Sequence, residues 1–429
     1  MAPGRGPTAT NLTRGLRLLG PLVEEGVVQL QANLRSHLLT LVGIAWGAAS
    51  VVLLLSVGSG FNDFLDLGVK KTGDRWTVLT PRYTSMETGG ARPGRKISFS
   101  NDDLERLEAA VPSAAALAGQ ILETALVETP LRTRSTVVSA AGPEIRVIRN
   151  HRVARGRFFD ADDQRRGRRV AVVGAELVVP LFAGEDPLGK TVQVEGVPFR
   201  VVGVLERKGF QLFTNRDLHD RMLWIPLSAG QRLPAWGRGE SVDHVLLDPR
   251  RRDETGVLHQ EIRAALWPLH HLAPQEDDAI QMDTVTSIMA PIEAIGLALH
   301  VLLGFVGTVT LAMSAVGVGN LMIAVASERR REFAMRRACG ARRSDVALQL
   351  LVETGVVVLG AGLLGVAIGV GAVQLLQMLP LPSDLPQPRV AVSVLATTFL
   401  VLSAVGLAAG VAPARRAARV DPSAALRAL

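Results

Sequence analysis

The chain has 429 residues, of which 48% are hydrophobic and 20% are charged, and its formal net charge is +7 at pH 7. This length would accommodate two or three soluble domains, but the apolar residues are concentrated in stretches without Asp, Glu, Lys or Arg. These stretches are residues 38–62, 294–327, 354–383 and 390–414. Each exceeds the roughly 20 residues that cross a bilayer. The composition therefore excludes an ordinary soluble protein and predicts four membrane-spanning helices.

The positive charge is distributed along the chain in a way that argues against nucleic-acid binding. Residues 1–37 carry four Arg against two Glu, residues 328–353 seven Arg against four acids, and residues 415–429 four Arg against one Asp. Residues 61–293 are nearly neutral, with 31 basic and 32 acidic side chains. Arginine-rich segments beside membrane spans mark the cytoplasmic side. This pattern predicts that both termini and residues 328–353 are cytoplasmic.

The N-terminal segment, residues 1–37, is predicted to be cytoplasmic. Apolar residues recur at helical spacing from Val23 to Leu34, which predicts an amphipathic helix in the membrane interface; the alternative is an ordinary extension of the first membrane helix. The first span, 38–62, starts too late and is too long for a cleaved signal peptide, so we expect a retained anchor. Cys339 is the single cysteine, which excludes an intrachain disulfide.

Residues 63–292 are predicted to form a large α+β domain outside the cytoplasm. A helix is expected over Asp102–Val111, with Ser100 or Asn101 as its N-cap. Strands are expected at 169–173, 191–195 and 198–205. We find no metal-ligand spacing among the eight histidines, and the domain must fold on its own apolar core.

Three strings in this domain imitate an ATPase. "GEDPLGKT" (184–191) fits the phosphate-loop pattern GxxxxGK[ST], "LSAGQ" (227–231) resembles an ABC signature loop, and "HVLLDP" (244–249) imitates an apolar strand that ends in an acid. A phosphate loop requires a helix that begins at Lys-Thr. Here Val192 and Val194 alternate with polar residues, so Lys190 is predicted to open a β-hairpin and the strings to be false matches.

The remaining spans differ in length. Residues 293–327 are predicted to be the second span with an outer stalk, because 34 uncharged residues rise about 51 Å against a core of about 30 Å. The third span is placed at 354–379, a proline-rich outer connector at 380–389, the fourth span at 390–414 and a cytoplasmic tail at 415–429. Three GxxxG pairs predict close helix packing: Gly43 and Gly47, Gly365 and Gly369, and Gly406 and Gly410.

The segment 328–353 is predicted to be a cytoplasmic loop that contains a short helix. Residues 328–339 are good helix formers and Gly340 suits a helix end. An apolar strip is expected along the helix, flanked by arginines; its members are Phe333, Ala334, Met335 and Ala338. The alternative is a helix that lies in the headgroups and only fixes the topology.

Two longer segments point to a family. "GRFFDADDQRRGRRVAVVGAELVVPLFAGEDPLGKTVQVEGVPFRVVGVLERKG" (156–209) and "WIPLSAGQRL" (224–233) resemble the extracytoplasmic domain of MacB-like ABC permeases. "SERRREFAMRRACGARRSDVALQLLVETGVVVLGAGLLG" (327–365) and the tail "PARRAARVDPSAALRAL" (413–429) resemble FtsX-like permeases. The resemblance implies that the short helix is the element that couples the permease to an ATPase. It assigns that role to Glu328, Arg331, Glu332, Phe333, Arg336, Arg337, Gly340 and Ala341.

The resemblance also implies a function for the whole chain. It would be the permease subunit of a mechanotransmitting ABC transporter in the bacterial inner membrane, most simply an exporter. Its partners would be a separate cytoplasmic ATPase that binds ATP and Mg, a second permease (identical or related), membrane lipid and, in some systems, a periplasmic adaptor and an outer-membrane channel. No cofactor is expected in this chain itself. The alternatives are an FtsX-like regulator that activates a cell-envelope partner, a lipoprotein-releasing permease, and a membrane-anchored receptor without an ATPase.

Overall fold

The computed structural model describes residues 34–86, 93–209, 211, 218–379 and 385–418. The predicted N-terminal amphipathic helix lies almost wholly outside these residues. So do the proline-rich start of the connector at 380–384 and the tail beyond residue 418. The chain divides into two compact units: Phe64–Ala294 forms one, and the segments up to Asp63 and from Ile295 onward form the other.

Helices and strands are numbered in chain order. The helices of four or more residues are α1 (Leu34–Thr72), α2 (Asn101–Ala110), α3 (Ile145–Ile148), α4 (Ala161–Arg166), α5 (Val178–Phe182), α6 (Leu227–Gln231), α7 (Thr255–Leu269), α8 (Val285–Glu328), α9 (Arg330–Ala338), α10 (Arg343–Met378) and α11 (Val392–Ala418). The strands are β1 (Thr77–Pro81), β2 (Phe99–Ser100), β3 (Ala114–Glu128), β4 (Thr133–Ala141), β5 (Val153–Gly156), β6 (Val170–Val173), β7 (Thr191–Val194), β8 (Val197–Leu205), β9 (Leu223–Pro226), β10 (Ser241–Val242), β11 (His244–Pro249) and β12 (Ile280–Thr284).

Four helices of the described residues, α1, α8, α10 and α11, are long and apolar enough to cross a membrane. They confirm the predicted number of spans. All four helices extend beyond the uncharged stretches. In particular, α1 continues to Thr72 and α8 begins at Val285. The 44 residues of α8 rise about 66 Å, well beyond the roughly 30 Å of a bilayer core.

Residues 343–353 were predicted to be loop, and the structure corrects this. They form about the first three turns of α10, which begins at Arg343. The backbone N–H of Arg342 donates to Asp345 Oδ2 at 3.0 Å, which fixes the start of the helix. The segment 328–353 therefore consists of the end of α8, α9, a short turn and the beginning of α10.

The domain Phe64–Ala294 is built on a mixed sheet. In the described part of the chain the sheet has ten strands in the order β12-β1-β11-β3-β4-β9-β6-β8-β5, and β7 pairs with both β3 and β8. The pairs β4–β9 and β6–β8 are parallel and the others are antiparallel. Strands mixed with helices between the first and second spans confirm the predicted fold class.

Local chemistry explains why these elements form. Helix α2 begins at a capping box in which the Ser100 hydroxyl accepts from the backbone N–H of Asp103 and the Asp103 side chain accepts from that of Ser100. Burial opposes ionisation of Asp103, but hydrogen bonds from His270 and Ser100 outweigh it and lower the pKa of this carboxyl. The core between sheet and helices is mainly apolar; among its fully buried members are Leu79, Phe99, Ile121 and Phe199.

Candidate functional site: the short helix after the second span

Helix α9 is separated from α8 by one residue, Arg329, whose φ of −90° and ψ of 14° interrupt the helical path. At its other end Gly340 has φ +100°, a conformation that favours glycine. The N–H of Gly340 donates to Arg337 O and the N–H of Ala341 to Arg336 O, each at 3.1 Å. This is a Schellman motif, so Gly340 and Ala341 end the helix as their residue types predict.

Arg329 is the centre of a polar network that sequence reasoning did not foresee. It forms a bidentate pair with Glu332, with Nε–Oε2 at 2.7 Å and Nη2–Oε1 at 2.9 Å. Its Nη1 also donates to both carboxylate oxygens of Glu353, at 3.2 and 3.0 Å. Hydrogen bonding from Arg329 lowers the pKa of Glu332 against the opposing effect of burial. One guanidinium thus joins the first turn of α9 to α10.

A second arginine extends this network. Arg336 contacts Glu332 Oε1 through Nη2 at 2.8 Å and donates to Gln349 Oε1 through Nη1 at 2.8 Å. Gln349 Nε2 in turn donates to Glu353 Oε1 at 3.1 Å. Gln349 and Glu353 are both buried and lie one turn apart on α10. We name these five residues, Arg329, Glu332, Arg336, Gln349 and Glu353, the clamp.

Phe333 corrects an expectation. The resemblance assigns it to the element that couples to an ATPase, which implies contact with a partner, but its side chain is 0% exposed and belongs to the core formed by the membrane helices. The Arg329 guanidinium lies 5.2 Å from the centre of its ring, a distance at which a cation and an aromatic face attract each other. Phe333 therefore holds α9 against its own chain.

The outward face of α9 carries only some of the expected residues. Arg331, Met335 and Ala338 are exposed and lie at i, i+4 and i+7, which is one side of a helix. Met335 is 54% exposed. The predicted apolar strip is wrong, because Phe333 and Met335 are two residues apart and point to opposite sides. Glu328 is exposed at the end of α8 and Arg337 is half-buried.

The GxxxG glycines lie at helix contacts with one exception. A β-carbon at Gly365 would lie 2.2 Å from Ala45 O, and one at Gly369 would lie 2.9 Å from Val52 Cβ, so only glycine allows α10 to approach α1 this closely. The corresponding distances are 2.8 Å from Gly406 to Val358 Cγ1, 3.0 Å from Gly410 to Leu351 Cδ2 and 3.1 Å from Gly47 to Leu311 Cδ2. At Gly43 a β-carbon would meet nothing within 4 Å, but its carbonyl accepts from Ser314 Oγ at 2.9 Å.

The ATPase-like strings have no ATPase geometry. Thr191 begins β7, which turns back antiparallel as β8, so no helix starts at Lys190 to face a phosphate. The Lys190 ammonium is paired with Glu185 of the same string. "LSAGQ" forms the five-residue helix α6, and "HVLLDP" forms β11 inside the sheet. In the described residues no three His, Cys, Asp or Glu side chains are grouped to hold a metal.

These features define a multi-pass membrane protein of the permease class. They are four membrane spans, an α+β domain between the first and second spans, and a short helix clamped to the third. Residues 38–265 match the MacB-like periplasmic core domain, and residues 304–422 match the FtsX-like permease C-terminal domain. The first match alone covers more than half of the chain. The chain therefore belongs to the family of MacB-like permeases with an FtsX-like C-terminal domain.

Curated relatives agree with this assignment. The chain is 32% identical to the macrolide export ATP-binding/permease protein MacB of Rhodospirillum rubrum, over 93% of this chain and 59% of that protein. It is 30% identical to MacB of Azoarcus sp., over 92% and 58%. It is also 30% identical to the pyoverdine export ATP-binding/permease protein PvdT of Pseudomonas syringae pv. syringae, over 90% and 56%. The chain thus spans less than three fifths of the length of these relatives.

The solved structures that the chain matches include the periplasmic region of MacB from Actinobacillus actinomycetemcomitans. It has a TM-score of 0.42 and 18% identity, and the match covers 54% of this chain and 98% of that one. The extracellular domain of the transporter YknZ from Gram-positive bacteria gives a TM-score of 0.40 and 19% identity, and the match covers 48% and 99%.

Proposed function

We propose that this chain is the permease subunit of an ABC transporter that exports its substrate. ATP binding and hydrolysis by a separate cytoplasmic ATPase would move α9, and the chain would transmit that motion to its extracytoplasmic domain. The relatives named above are exporters that combine ATP-binding and permease functions, which supports this role. The chain would act with a second permease and, in systems that have them, an adaptor and an outer-membrane channel.

The observation that carries the proposal is the way α9 is held. The clamp and the buried Phe333 fix one side of the helix to the membrane unit, while Arg331, Met335 and Ala338 are left exposed on the other side. A helix that only lay in the headgroups would not need a buried network to α10. A helix that is pushed by a partner does need one, because a loosely attached helix would move without moving the span behind it.

Within this account the predicted coupling residues have two roles. Glu332, Phe333 and Arg336 position α9, and Gly340 and Ala341 end it. Glu328, Arg331 and Arg337 provide charge near the contact surface, and Met335 replaces Phe333 as its apolar anchor. The contact would lie in the cytoplasm together with both termini of the chain.

Co-purification with the ATPase tests this assignment. Met335→Glu puts a charge at the centre of the proposed contact, and the loss of a central interface residue costs about 2 kcal/mol or more, so recovery of the ATPase and export should both fall. Leu131→Glu is the matched control, because Leu131 is 53% exposed on the other unit against 54% for Met335. Undiminished recovery of the ATPase with Met335→Glu would refute the assignment.

A further inference from the structure

The domain Phe64–Ala294 has a cleft with an unusual charge. The cleft has a volume of about 270 Å³ and opens to solvent. It is lined by the last turn of α1 and by the segments around Asn150 and Glu206. Its basic lining residues are Lys70, Lys71, Arg152, Arg207 and Lys208, and among its described lining residues Glu206 is the only carboxylate.

Three of these cations are unpaired. No carboxylate of the described residues lies within ion-pair distance of Lys70, Lys71 or Arg152, all of which reach solvent. Arg207, by contrast, is paired with Glu176 at 3.0 Å. The Asn150 side chain donates to Lys70 O at 2.9 Å, which holds the end of α1 against the loop that carries Arg152. The fold thus fixes three free cations around one opening.

Arg149 and Lys208 add buried basic groups behind the cleft, beside two histidines that burial keeps uncharged. Arg149, His151, Lys208 and His219 are all buried, with Asp220 as the neighbouring carboxylate. Burial lowers the pKa of Arg149 to about 9 and that of Lys208 to about 7. Arg149 Nη1 and both ring nitrogens of His151 have no hydrogen-bond partner among the described residues. The wall of the cleft is therefore short of negative charge, and a low-dielectric wall of one sign attracts a ligand of the other sign.

We propose that this cleft binds a phosphate group, with Lys70, Lys71 and Arg152 as its charge partners. Its volume lies just below the roughly 300–1,000 Å³ of pockets for drug-sized ligands, so it suits a headgroup or a small anion. The phosphate could be free or could belong to an anionic phospholipid, since both present the same oxygens. Lysines in the last turn of a helix also complement the helix dipole. If that were the only role of Lys70 and Lys71, no ligand would bind. The proposal is independent of the coupling role of α9.

Two binding measurements on the full chain separate the sources of the phosphate. In detergent, inorganic phosphate is titrated calorimetrically at constant ionic strength. In nanodiscs, native mass spectrometry compares retained phosphatidylglycerol with phosphatidylcholine. Saturable phosphate binding without retained phosphatidylglycerol identifies a free anion as the ligand, and preferential retention of phosphatidylglycerol identifies a lipid headgroup. Either result supports the site. The absence of both phosphate binding and phosphatidylglycerol retention would overturn it.

Variants decide whether the binding belongs to the cleft. The triple change Lys70→Gln, Lys71→Gln and Arg152→Gln should weaken binding at least tenfold. Arg152→Gln alone repeats the test without altering the end of α1. The matched triple Lys96→Gln, Arg134→Gln and Arg200→Gln removes equal charge from exposed residues outside the cleft and should leave binding within twofold. Equal losses in the two triple variants, or no loss in either, would overturn the proposal.

Discussion

Removal of the Glu353 carboxylate should release α9 from α10. In Glu353→Ala, Arg329 loses the two hydrogen bonds at 3.2 and 3.0 Å and Gln349 loses its bond at 3.1 Å. Breaking a buried ion pair costs about 3–5 kcal/mol. Arg329 keeps Glu332 and is 15% exposed, so we expect the lower end, about 3 kcal/mol.

Amide hydrogen exchange of the full chain measures this release. A loss of about 3 kcal/mol corresponds to a rise of about 100-fold in the opening of α9, so peptides from residues 330–338 should exchange faster by that factor. Peptides from the second half of α10 should be unchanged. Glu328→Ala is the control, because Glu328 is exposed and has no ion pair among the described residues. Unchanged protection of residues 330–338 in folded Glu353→Ala would refute the clamp.

Three further predictions concern single side chains. Phe333→Ala should lower the free energy of unfolding by about 3–5 kcal/mol, which a lower melting temperature in detergent would show. Met335→Ala should change it by less than about 0.5 kcal/mol. Equal effects of the two substitutions would contradict the burial of Phe333. Lys190→Ala should leave nucleotide binding and hydrolysis by the assembled complex unchanged, since its pair with Glu185 is exposed; lost nucleotide binding would revive the phosphate-loop interpretation. Burial lowers the pKa of Lys208 to about 7 from 10.5, so between pH 7 and 9 the unfolded chain binds more protons at this residue than the folded chain does. The free energy of unfolding should therefore rise by about 2 kcal/mol across this pH range. Lys208→Met should abolish this rise.

The window of the last prediction is chosen to isolate one group. Arg149, whose carbonyl oxygen accepts a hydrogen bond from the Lys208 ammonium at 2.6 Å, has a pKa of about 9, so its own pH dependence overlaps only the upper end of this window. Burial also lowers the pKa values of His151 and His219, and raises that of Asp220. The two histidines are therefore uncharged in the folded protein across this window. A pH dependence that persists in Lys208→Met would contradict the assignment.

Much of the fold could be predicted because its signals are local. The capping residue Ser100, the alternation at Val192 and Val194 and the uncharged stretches each depend on neighbours in the sequence. They correctly predicted α2, the β7–β8 hairpin and four spans. Local signals failed at residues 343–353. Their charged side chains placed them in the loop segment, but they are helical. The helix tolerates them because they are exposed or, for Glu353, paired.

The site could be predicted only in part. The position and end of α9 followed from helix formers and Gly340, but its orientation did not. Orientation depends on which face finds partners, and the partners Gln349 and Glu353 come from another helix. The periodicity of the helix already required Phe333 and Met335 to lie on opposite sides. The sequence alone did not reveal which side is buried.

Photo-cross-linking from α9 tests the central claim most directly. A benzophenone amino acid at position 335 places a reactive group on the exposed face of α9 without altering the clamp, and the same group at position 131 provides the control. On irradiation of cells that contain the assembled transporter, position 335 should form an adduct with the cytoplasmic ATPase and position 131 should not. No adduct from position 335 in an assembled complex, or an adduct from position 131, would contradict the assignment of α9 as the coupling helix.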